Sequence, residues 1–186
     1  MERVRWARDL AEGILAAPLP RRWAHSAGVG RKAETVAHLL SEPDGYAVVC
    51  AAWLHDVGYA PAVVATGLHS LDGARHLRDV HRVDPLVCRL VAYHSCAQVE
   101  AGNRGLADEL AAEFAPPDGA LADAVTYADM TTSPDGDPVD VATRLAEILT
   151  RYPPEDVVHR SIAAARGEIT AAVRRVEAAL ADEPYG

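Results

Sequence analysis

Aromatic residues make up only 5% of this 186-residue chain, and no segment alternates apolar and polar side chains as a half-buried β-strand does. Both absences argue against a β-sheet protein, because strands are enriched in aromatic and β-branched residues. Alanine is abundant instead, and apolar residues reach 49% of the chain, which excludes a disordered protein. Because alanine has the highest helix propensity, the composition predicts an all-α fold.

Basic charge is also scarce. The chain has 18 Lys and Arg residues against 27 Asp and Glu residues, which gives a formal net charge of −9 at pH 7. We find no basic cluster with interleaved aromatic residues. Long nucleic acids are bound through such basic surfaces, so we expect no nucleic-acid partner.

Cysteines and long apolar runs are few. Three cysteines without CxxC spacing form neither a disulfide framework nor a zinc knuckle. Cys50 and Cys88 are predicted to be small core residues, whereas Cys96, near His94, is either a core residue or a soft metal ligand. No apolar run approaches the roughly 18–20 residues of a membrane span, and MERVRWARDLAEG lacks the apolar core of a signal peptide. We therefore expect a cytoplasmic protein without membrane contacts.

Proline and glycine divide the chain into segments with helical periodicity, and there is no internal repeat. Asp84, Asp118 and Ser70 are predicted to cap helices, and Gly58 is predicted to end one in the left-handed conformation. SPDGDP, residues 133–138, predicts a loop. The predicted helices cover residues of about 3–16, 21–40, 46–56, 71–80, 85–94, 103–114, 119–130, 139–152 and 155–182.

The segment AAWLHDVGY, residues 51–59, places an imidazole and a carboxylate side by side in an apolar helix. An unpaired buried polar group costs about 1–3 kcal/mol, so His55 and Asp56 are expected to bind something. Their side chains point about 100° apart on a helix, yet both can reach an ion near its end. Such a ligand pair suits a divalent cation. Two ligands are too few, and His25 and Asp129, also in apolar patterns, are further candidates.

At these four positions the chain resembles the HD-domain metal-dependent phosphohydrolases, whose pattern is an early histidine, an adjacent His-Asp pair and a later aspartate. RRWAHSAGVGRKAETVAHLL resembles the family's Arg-x-x-His-Ser opening helix, and LHDVGYAP resembles its His-Asp-x-Gly turn. The resemblance covers about residues 20–135, the expected metal-site core. It implies a single HD-type helical bundle over 1–186, with a C-terminal helical extension over about 138–182.

Two further histidines, His69 and His94, lie between the His-Asp pair and the last aspartate. This order resembles the two-metal branch of the family, which includes bacterial diadenosine tetraphosphate hydrolases and cyclic-dinucleotide phosphodiesterases. The resemblance implies that Asp56 bridges two ions. One ion would bind His25, His55, Asp56 and Asp129, and the other would bind Asp56, His69 and His94. This mixed ligand set suits Fe, Mn, Zn, Co or Ni better than Mg or Ca.

The resemblance implies hydrolysis of a small phosphorylated substrate by metal-activated water, and the expected substrate is a nucleotide or dinucleotide. Asp56 and Asp129 are the predicted catalytic residues, because either carboxylate can orient the attacking water. Many relatives carry a lysine shortly after the His-Asp pair, where this chain has Tyr-Ala-Pro at 59–61. Arginines are the candidates to replace it, and we predict Arg22 and Arg75 as substrate-binding residues. Arginines 31 and 104 are the other candidates.

Several alternatives stay open at this level. His76, seven residues after His69, can share its helix face and is its chief rival as a ligand. His38, His81 and His159 are expected at the surface. A degenerate HD fold that binds metal or a nucleotide as a sensor, without turnover, is the second functional hypothesis, and a purely structural helical protein is the third. The sequence leaves the oligomeric state open, a homodimer included.

Overall fold

The computed structural model describes residues 2–182, and within that range the chain forms helices, short 3₁₀ turns and loops without a β-strand. The all-α prediction is confirmed. The predicted range 1–186 also contains residues 1 and 183–186, which lie outside the described residues. The α-helices are α1 (Glu2–Leu15), α2 (Pro20–Glu34), α3 (Glu42–Leu54), α4 (His69–Asp79), α5 (Pro85–Tyr93), α6 (Ala97–Arg104), α7 (Ala107–Glu113), α8 (Gly119–Met130), α9 (Val141–Arg151) and α10 (Val157–Ala181).

Two of the predicted helices are divided in the structure. The helix predicted over 21–40 ends at Glu34, and a separate 3₁₀ turn follows at Ala37–Leu39. The helical region predicted over 103–114 contains the boundary between α6 and α7. Gly105 has a φ of 73° there, a left-handed conformation that commonly terminates a helix and that glycine adopts most readily.

Aspartates cap four of the helices. Each of their side chains accepts a hydrogen bond from a backbone N–H two or three residues further along the chain, an interaction that contributes about 1 kcal/mol. The four caps are Asp84, Asp118, Asp140 and Asp156, and the predictions for the first two are confirmed. The prediction for Ser70 is wrong, because α4 begins at His69 and Ser70 lies buried in its first turn.

Gly58 does not adopt the predicted left-handed conformation, because residues 57–59 form a 3₁₀ turn without positive φ. A close backbone approach explains the glycine instead. A Cβ at this position would lie 1.8 Å from the backbone oxygen of His69. Gly58 therefore allows the start of α4 to pack directly against the end of α3, which brings His69 close to the His-Asp pair.

Helix α3 lies at the centre of the fold, with α1, α2, α5 and α8 packed around it. Residues 47–54 of α3 are buried in succession, as expected of a helix that is apolar on all sides. Cys50 of α3 and Cys88 of α5 are buried, as predicted. Because α3 ends at Leu54, it carries the following histidine and aspartate into the interior.

Helix α8 packs between two apolar clusters. Val125 belongs to the larger cluster, which surrounds α3, whereas Tyr127 and Met130 pack with Leu145 of α9 and Ile169 of α10. The C-terminal helices therefore cover the end of α8 at which Asp129 lies. No helix within residues 2–182 has both the length and the apolar character needed to cross a bilayer.

Candidate metal centre

Five elements bring six histidine and aspartate side chains together, and all of them except His55 line one cavity. These elements are α2, the C-terminal end of α3, the start of α4, the 3₁₀ turn after α5, and the end of α8. The ligand atoms form three overlapping groups, and within each group they lie within 4.8 Å of one another. The groups are His25, His55 and Asp56; His55, His94 and Asp129; and Asp56, His69 and His94. The structure thus brings together all six residues predicted as metal ligands.

Three of the imidazoles are oriented in the same way. The Nδ1 atoms of His25, His55 and His94 each lie 2.7–2.9 Å from a backbone oxygen. A carbonyl oxygen only accepts hydrogen bonds, so Nδ1 donates and, in the neutral ring, Nε2 is left as an acceptor. Proteins orient metal-binding histidines by this kind of hydrogen bond.

The Nε2 atoms face groups that are themselves acceptors. The Nε2 atom of His55 is buried without a hydrogen-bond partner in residues 2–182, 3.4 Å from Oδ2 of Asp56. The Nε2 atom of His25 lies 3.0 Å from Oδ1 of Asp129. A proton on the ring or a cation between the atoms would offset the repulsion of two acceptors, and one cation would serve both histidines. These residues therefore fit a divalent metal ion.

Asp56 presents its two carboxylate oxygens to different neighbours. Oδ2 lies 3.4 Å from Nε2 of His55 and 3.9 Å from Nε2 of His25. Oδ1 lies 3.7 Å from Nε2 of His69. The Nη1 atom of Arg22 donates to Oδ2 at 2.9 Å. The carboxylate is therefore positioned to serve two ligand groups, one through each oxygen.

Both buried carboxylates are ionised despite their burial. Burial alone would raise the pKa of Asp56, but the Arg22 guanidinium and then the His55 imidazole hold it well below its usual range. Burial would likewise raise the pKa of Asp129, and the adjacent imidazole of His25 lowers it instead. An ionised carboxylate is the form that binds a metal ion.

The histidine pKa values divide into two groups. Burial, and then the His94 imidazole, lowers the pKa of His69. Burial, and then the His55 imidazole, lowers the pKa of His94, so the His69 and His94 rings are both neutral at pH 7. Burial also disfavours the charged form of His55, but Asp56 more than offsets this and the pKa of His55 is raised. Since a metal ion binds the neutral ring, it competes with a proton at His55.

His69 is held in place by its neighbours along the chain. The carboxylate of Asp72 accepts hydrogen bonds from the backbone N–H groups of residues 65–67 at 2.9–3.1 Å, which shapes the turn before α4. The Tyr59 ring stacks on the His69 ring, with 4.0 Å between centroids. The rival ligand His76 instead contacts His81, with 3.2 Å between their Nε2 atoms, and the structure does not bring it to the cavity.

The loop over residues 133–138 forms as predicted and supports His25, because Ser133 supplies the backbone oxygen for its Nδ1. Gly136 has a φ of 88°, and a Cβ there would lie 2.4 Å from the backbone oxygen of Ala24. The glycine thus permits both the turn and its close contact with α2. Asp135 pairs with Arg21 at 2.8 Å and lies outside the cavity lining.

Ser95 is a site residue that sequence reasoning missed. Its hydroxyl donates to Oδ2 of Asp129, and its φ of 49° lies in the left-handed region, which is uncommon for non-glycine residues. Only its position next to His94 could have drawn attention to it. Cys96 also lines the cavity, but burial raises the pKa of its thiol to about 11, which disfavours the thiolate that a metal ligand requires.

The predicted substrate-binding arginines are separated in the structure. Arg22 lines the cavity, and its guanidinium lies over the Tyr59 ring, 4.0 Å from the centroid. Arg75 does not line the cavity, because Glu113 and Glu109 hold its guanidinium elsewhere, the latter at 2.7 Å. The prediction for Arg75 is corrected accordingly. Arginines 31 and 104 and histidines 38, 81 and 159 also lie outside the lining.

The sequence predicted a C-terminal helical extension packed over the domain, but not that its helices line the cavity. Arg144 and Arg151 of α9 line it, together with Ile162 and Ala165 of α10. The cavity has a volume of about 80 Å³ as sampled by the centre of a water molecule. Because one water needs about 10–15 Å³ on this measure, the cavity has room for roughly five to eight waters.

Comparison with protein families gives one match, to the family described as HD domain, over residues 22–133. This range contains all six histidine and aspartate residues of the candidate metal centre and ends before α9. Comparisons with curated proteins and with solved structures give no match.

Proposed function

The chain belongs to the HD domain family, and on that premise we propose that it is a metal-dependent phosphohydrolase acting on a small phosphorylated substrate. HD domains are typically metal-dependent hydrolases. The observation that carries the proposal is the shared orientation of His25, His55 and His94. Each donates from Nδ1 to a backbone oxygen, which leaves the Nε2 lone pairs available beside Asp56 and Asp129.

The proposed ion site uses one or two divalent transition metals, of the group Fe, Mn, Zn, Co and Ni. When bound, such ions supply Lewis acidity toward water and toward phosphoryl oxygens. His25, His55, Asp56 and Asp129 would hold the first ion, and Asp56, His69 and His94 would hold the second. The separate oxygens of Asp56 support this division, because each faces a different ligand group.

The protein groups around these ligands have their own roles in the proposal. Ionised Asp56 and Asp129 orient the attacking water by accepting its hydrogens, and Ser95 fixes the second carboxylate by donating to its Oδ2. Arg22 stabilises negative charge on the phosphoryl group, because its guanidinium already lies at the cavity beside Asp56.

The proposed substrate is a nucleotide or another small phosphate compound, and not a long nucleic acid. The net charge of −9 argues against a long nucleic acid as the substrate. The small cavity supports entry of a terminal phosphate, whereas a dinucleotide would have to leave most of its structure outside. We further propose a cytoplasmic location and a homodimeric assembly.

Elemental analysis of protein purified without chelator, followed by phosphate release from a panel of nucleotides, tests the proposal. We expect at least one Mn, Fe, Co, Ni or Zn ion per chain, and turnover that chelation abolishes and added metal restores. Bound metal without release from any compound would favour the sensor alternative. A protein that retains no ion after dialysis against excess Mn²⁺ would overturn both.

A further inference from the structure

Helix α9 turns one face toward the cavity. Arg144, Ile148, Arg151 and Tyr152 line it, and their spacing of four, three and one residues places them on the same side of the helix and at its end. These residues lie beyond 22–133, the range that the family comparison matches, so family membership assigns them no role.

Arg144 is a buried cation with unused hydrogen-bonding capacity. Its side chain is only 6% exposed, and its Nη1 atom donates to Oε2 of Glu147 at 2.6 Å. Its Nε atom is buried without a partner in the described part of the chain. A buried donor without an acceptor is unfavourable, because the hydrogen bond that it made to water in the unfolded chain is not replaced. Because the Arg144 side chain lines the cavity, the unpaired Nε–H group suggests a ligand with acceptor oxygens.

Arg151 lies about two helical turns further along the same face of α9, and it shares the carboxylate of Glu147 with Arg144. Its Nε atom donates to Oε1 of Glu147 at 2.8 Å, and its side chain is 31% exposed. Glu147 itself does not line the cavity. Since each guanidinium has five N–H donors, sharing one carboxylate leaves both arginines with donors for an incoming anion.

The charges around the cavity also favour an anion. The charged lining residues, apart from histidines, are the arginines Arg22, Arg144 and Arg151 and the carboxylates Asp56, Glu100 and Asp129. These charges balance, so each divalent ion would add its full positive charge to the cavity. A phosphate dianion neutralises that excess better than a neutral or singly charged group does.

We propose that Arg144 and Arg151 bind the terminal phosphate dianion of the substrate, with Arg144 as the stronger contact because it is the more deeply buried. The assignment rests on the proposed function. The planar guanidinium suits this role, because it presents parallel N–H groups to two phosphate oxygens.

Calorimetric titration of Mn²⁺-loaded protein with inorganic phosphate at pH 7.5 tests the assignment. Dimethyl phosphate, a singly charged diester, serves as the comparison anion. The variants are Arg144→Gln and Arg151→Gln, with Arg174→Gln as the matched control. Arg174 is exposed on α10 and outside the cavity lining, so the control removes the same charge away from the site. Manganese content and the thermal unfolding midpoint are measured for every variant.

We expect Arg144→Gln to weaken phosphate binding at least tenfold, because a hydrogen bond to a charged group contributes about 1.5–3 kcal/mol. Arg151→Gln should weaken it by a smaller factor, and Arg174→Gln should leave it within twofold of wild type. All variants should retain full manganese content. Dimethyl phosphate should bind more weakly than phosphate and respond little to Arg144→Gln.

Wild-type phosphate affinity in a manganese-loaded Arg144→Gln protein would overturn the assignment, as would a wild-type protein that binds no phosphate. If Arg144→Gln does not fold, Arg144→Lys replaces it, since it keeps the charge without the planar fork. Weaker phosphate binding by the lysine variant supports the assignment, and unchanged binding overturns it. Failure of the proposed function gives a different result: phosphate binding would depend on Arg144 although the wild type hydrolyses no phosphate compound.

Discussion

The two walls of the cavity differ in chemistry and in origin. The wall within residues 22–133 contains all the histidines and carboxylates that line the cavity. The wall formed by α9 and α10 contributes arginines, a tyrosine, a serine and apolar residues. Among the described lining residues, none on the C-terminal wall is a histidine, cysteine, aspartate or glutamate. If the two proposals hold, ion binding depends on the first wall, and phosphate recognition depends on the second wall together with Arg22 of the first.

The walls are also held by different interactions. On the first wall, backbone carbonyl groups orient three imidazoles through hydrogen bonds of 2.7–2.9 Å. On the second, apolar packing of Leu145 and Ile169 against Met130 holds α9 and α10 on α8. Substitutions on the first wall should therefore change metal binding, and substitutions on the second should change substrate binding with the metal retained.

Asp56→Ala should have the largest effect. We expect loss of most bound metal and of nearly all turnover, because the substitution removes the carboxylate that faces both ligand groups. The protein should be less stable because Arg22 loses its partner, but it should still fold, since the Arg22 side chain is partly exposed and reaches solvent. Metal content by elemental analysis and circular dichroism measure the two effects.

Asp79→Ala is the matched control, because Asp79 is an exposed carboxylate that pairs with Arg78 outside the cavity. Full metal content and wild-type turnover in Asp56→Ala would show that the first wall is not an ion site.

His69→Ala and His94→Ala should each lose one of two ions and most of the turnover. The reason is that both rings belong to the ligand group proposed for the second ion, with Asp56. His76→Ala is the control, because His76 contacts His81 away from the cavity. Metal stoichiometry in excess Mn²⁺ decides the outcome. Saturation of the wild type at one ion per chain, with unchanged turnover in His94→Ala, would leave only the four-ligand site.

Ser95→Ala should lower turnover by about 10–100-fold, the usual effect of removing a hydrogen bond that orients a metal ligand. Ser95→Gly removes the same hydroxyl and relieves the left-handed backbone. It should lose as much activity as the alanine variant while being at least as stable. Turnover with a saturating substrate and thermal unfolding measure the two quantities, and wild-type turnover in both variants would assign the hydroxyl no role.

Arg75→Ala should have the smallest effect, because Arg75 lies on neither wall. Its ion pair with Glu113 is partly exposed, so we expect a loss of about 1 kcal/mol or less in the free energy of unfolding. The hydrogen bond from Arg75 lowers the pKa of Glu113 below 4.5. The stability difference should thus be complete above pH 4.5 and disappear as the pH falls through the folded-state pKa. An altered metal content or phosphate affinity in Arg75→Ala would contradict the assignment of these functions to the two walls of the cavity.

Sequence patterns were sufficient for the features that depend on local interactions. Alanine-rich periodicity predicted the helices, and Asp84 and Asp118 were recognisable caps because capping involves residues only two or three positions apart. The His-Asp pair stood out because it interrupts an apolar helix. The resemblance to the HD-domain family then predicted which six histidine and aspartate side chains the fold brings together.

Where the sequence failed locally, long-range packing was the cause. Gly58 looks like a helix terminator, but the backbone of His69 determines its conformation from eleven residues away. Arg75 resembles a phosphate contact, but Glu113 of α7 holds it outside the cavity. Neither of these two long-range contacts produces a recognisable pattern in the residues next to Gly58 or Arg75.

By itself, the sequence determined the helical fold and pointed to His25, His55, Asp56 and Asp129, because helix periodicity and polar groups in apolar helices are local signals. His69 and His94 were found through the family resemblance. Only the tertiary structure decided what completes the cavity. Arg144 follows Asp129 by fifteen residues and reaches the same cavity because α9 and α10 fold back onto α8. The packing of α9 and α10 on α8 depends on apolar contacts between segments that are distant in the sequence. From the sequence alone, an arginine on an amphipathic helix is predicted to lie at the surface.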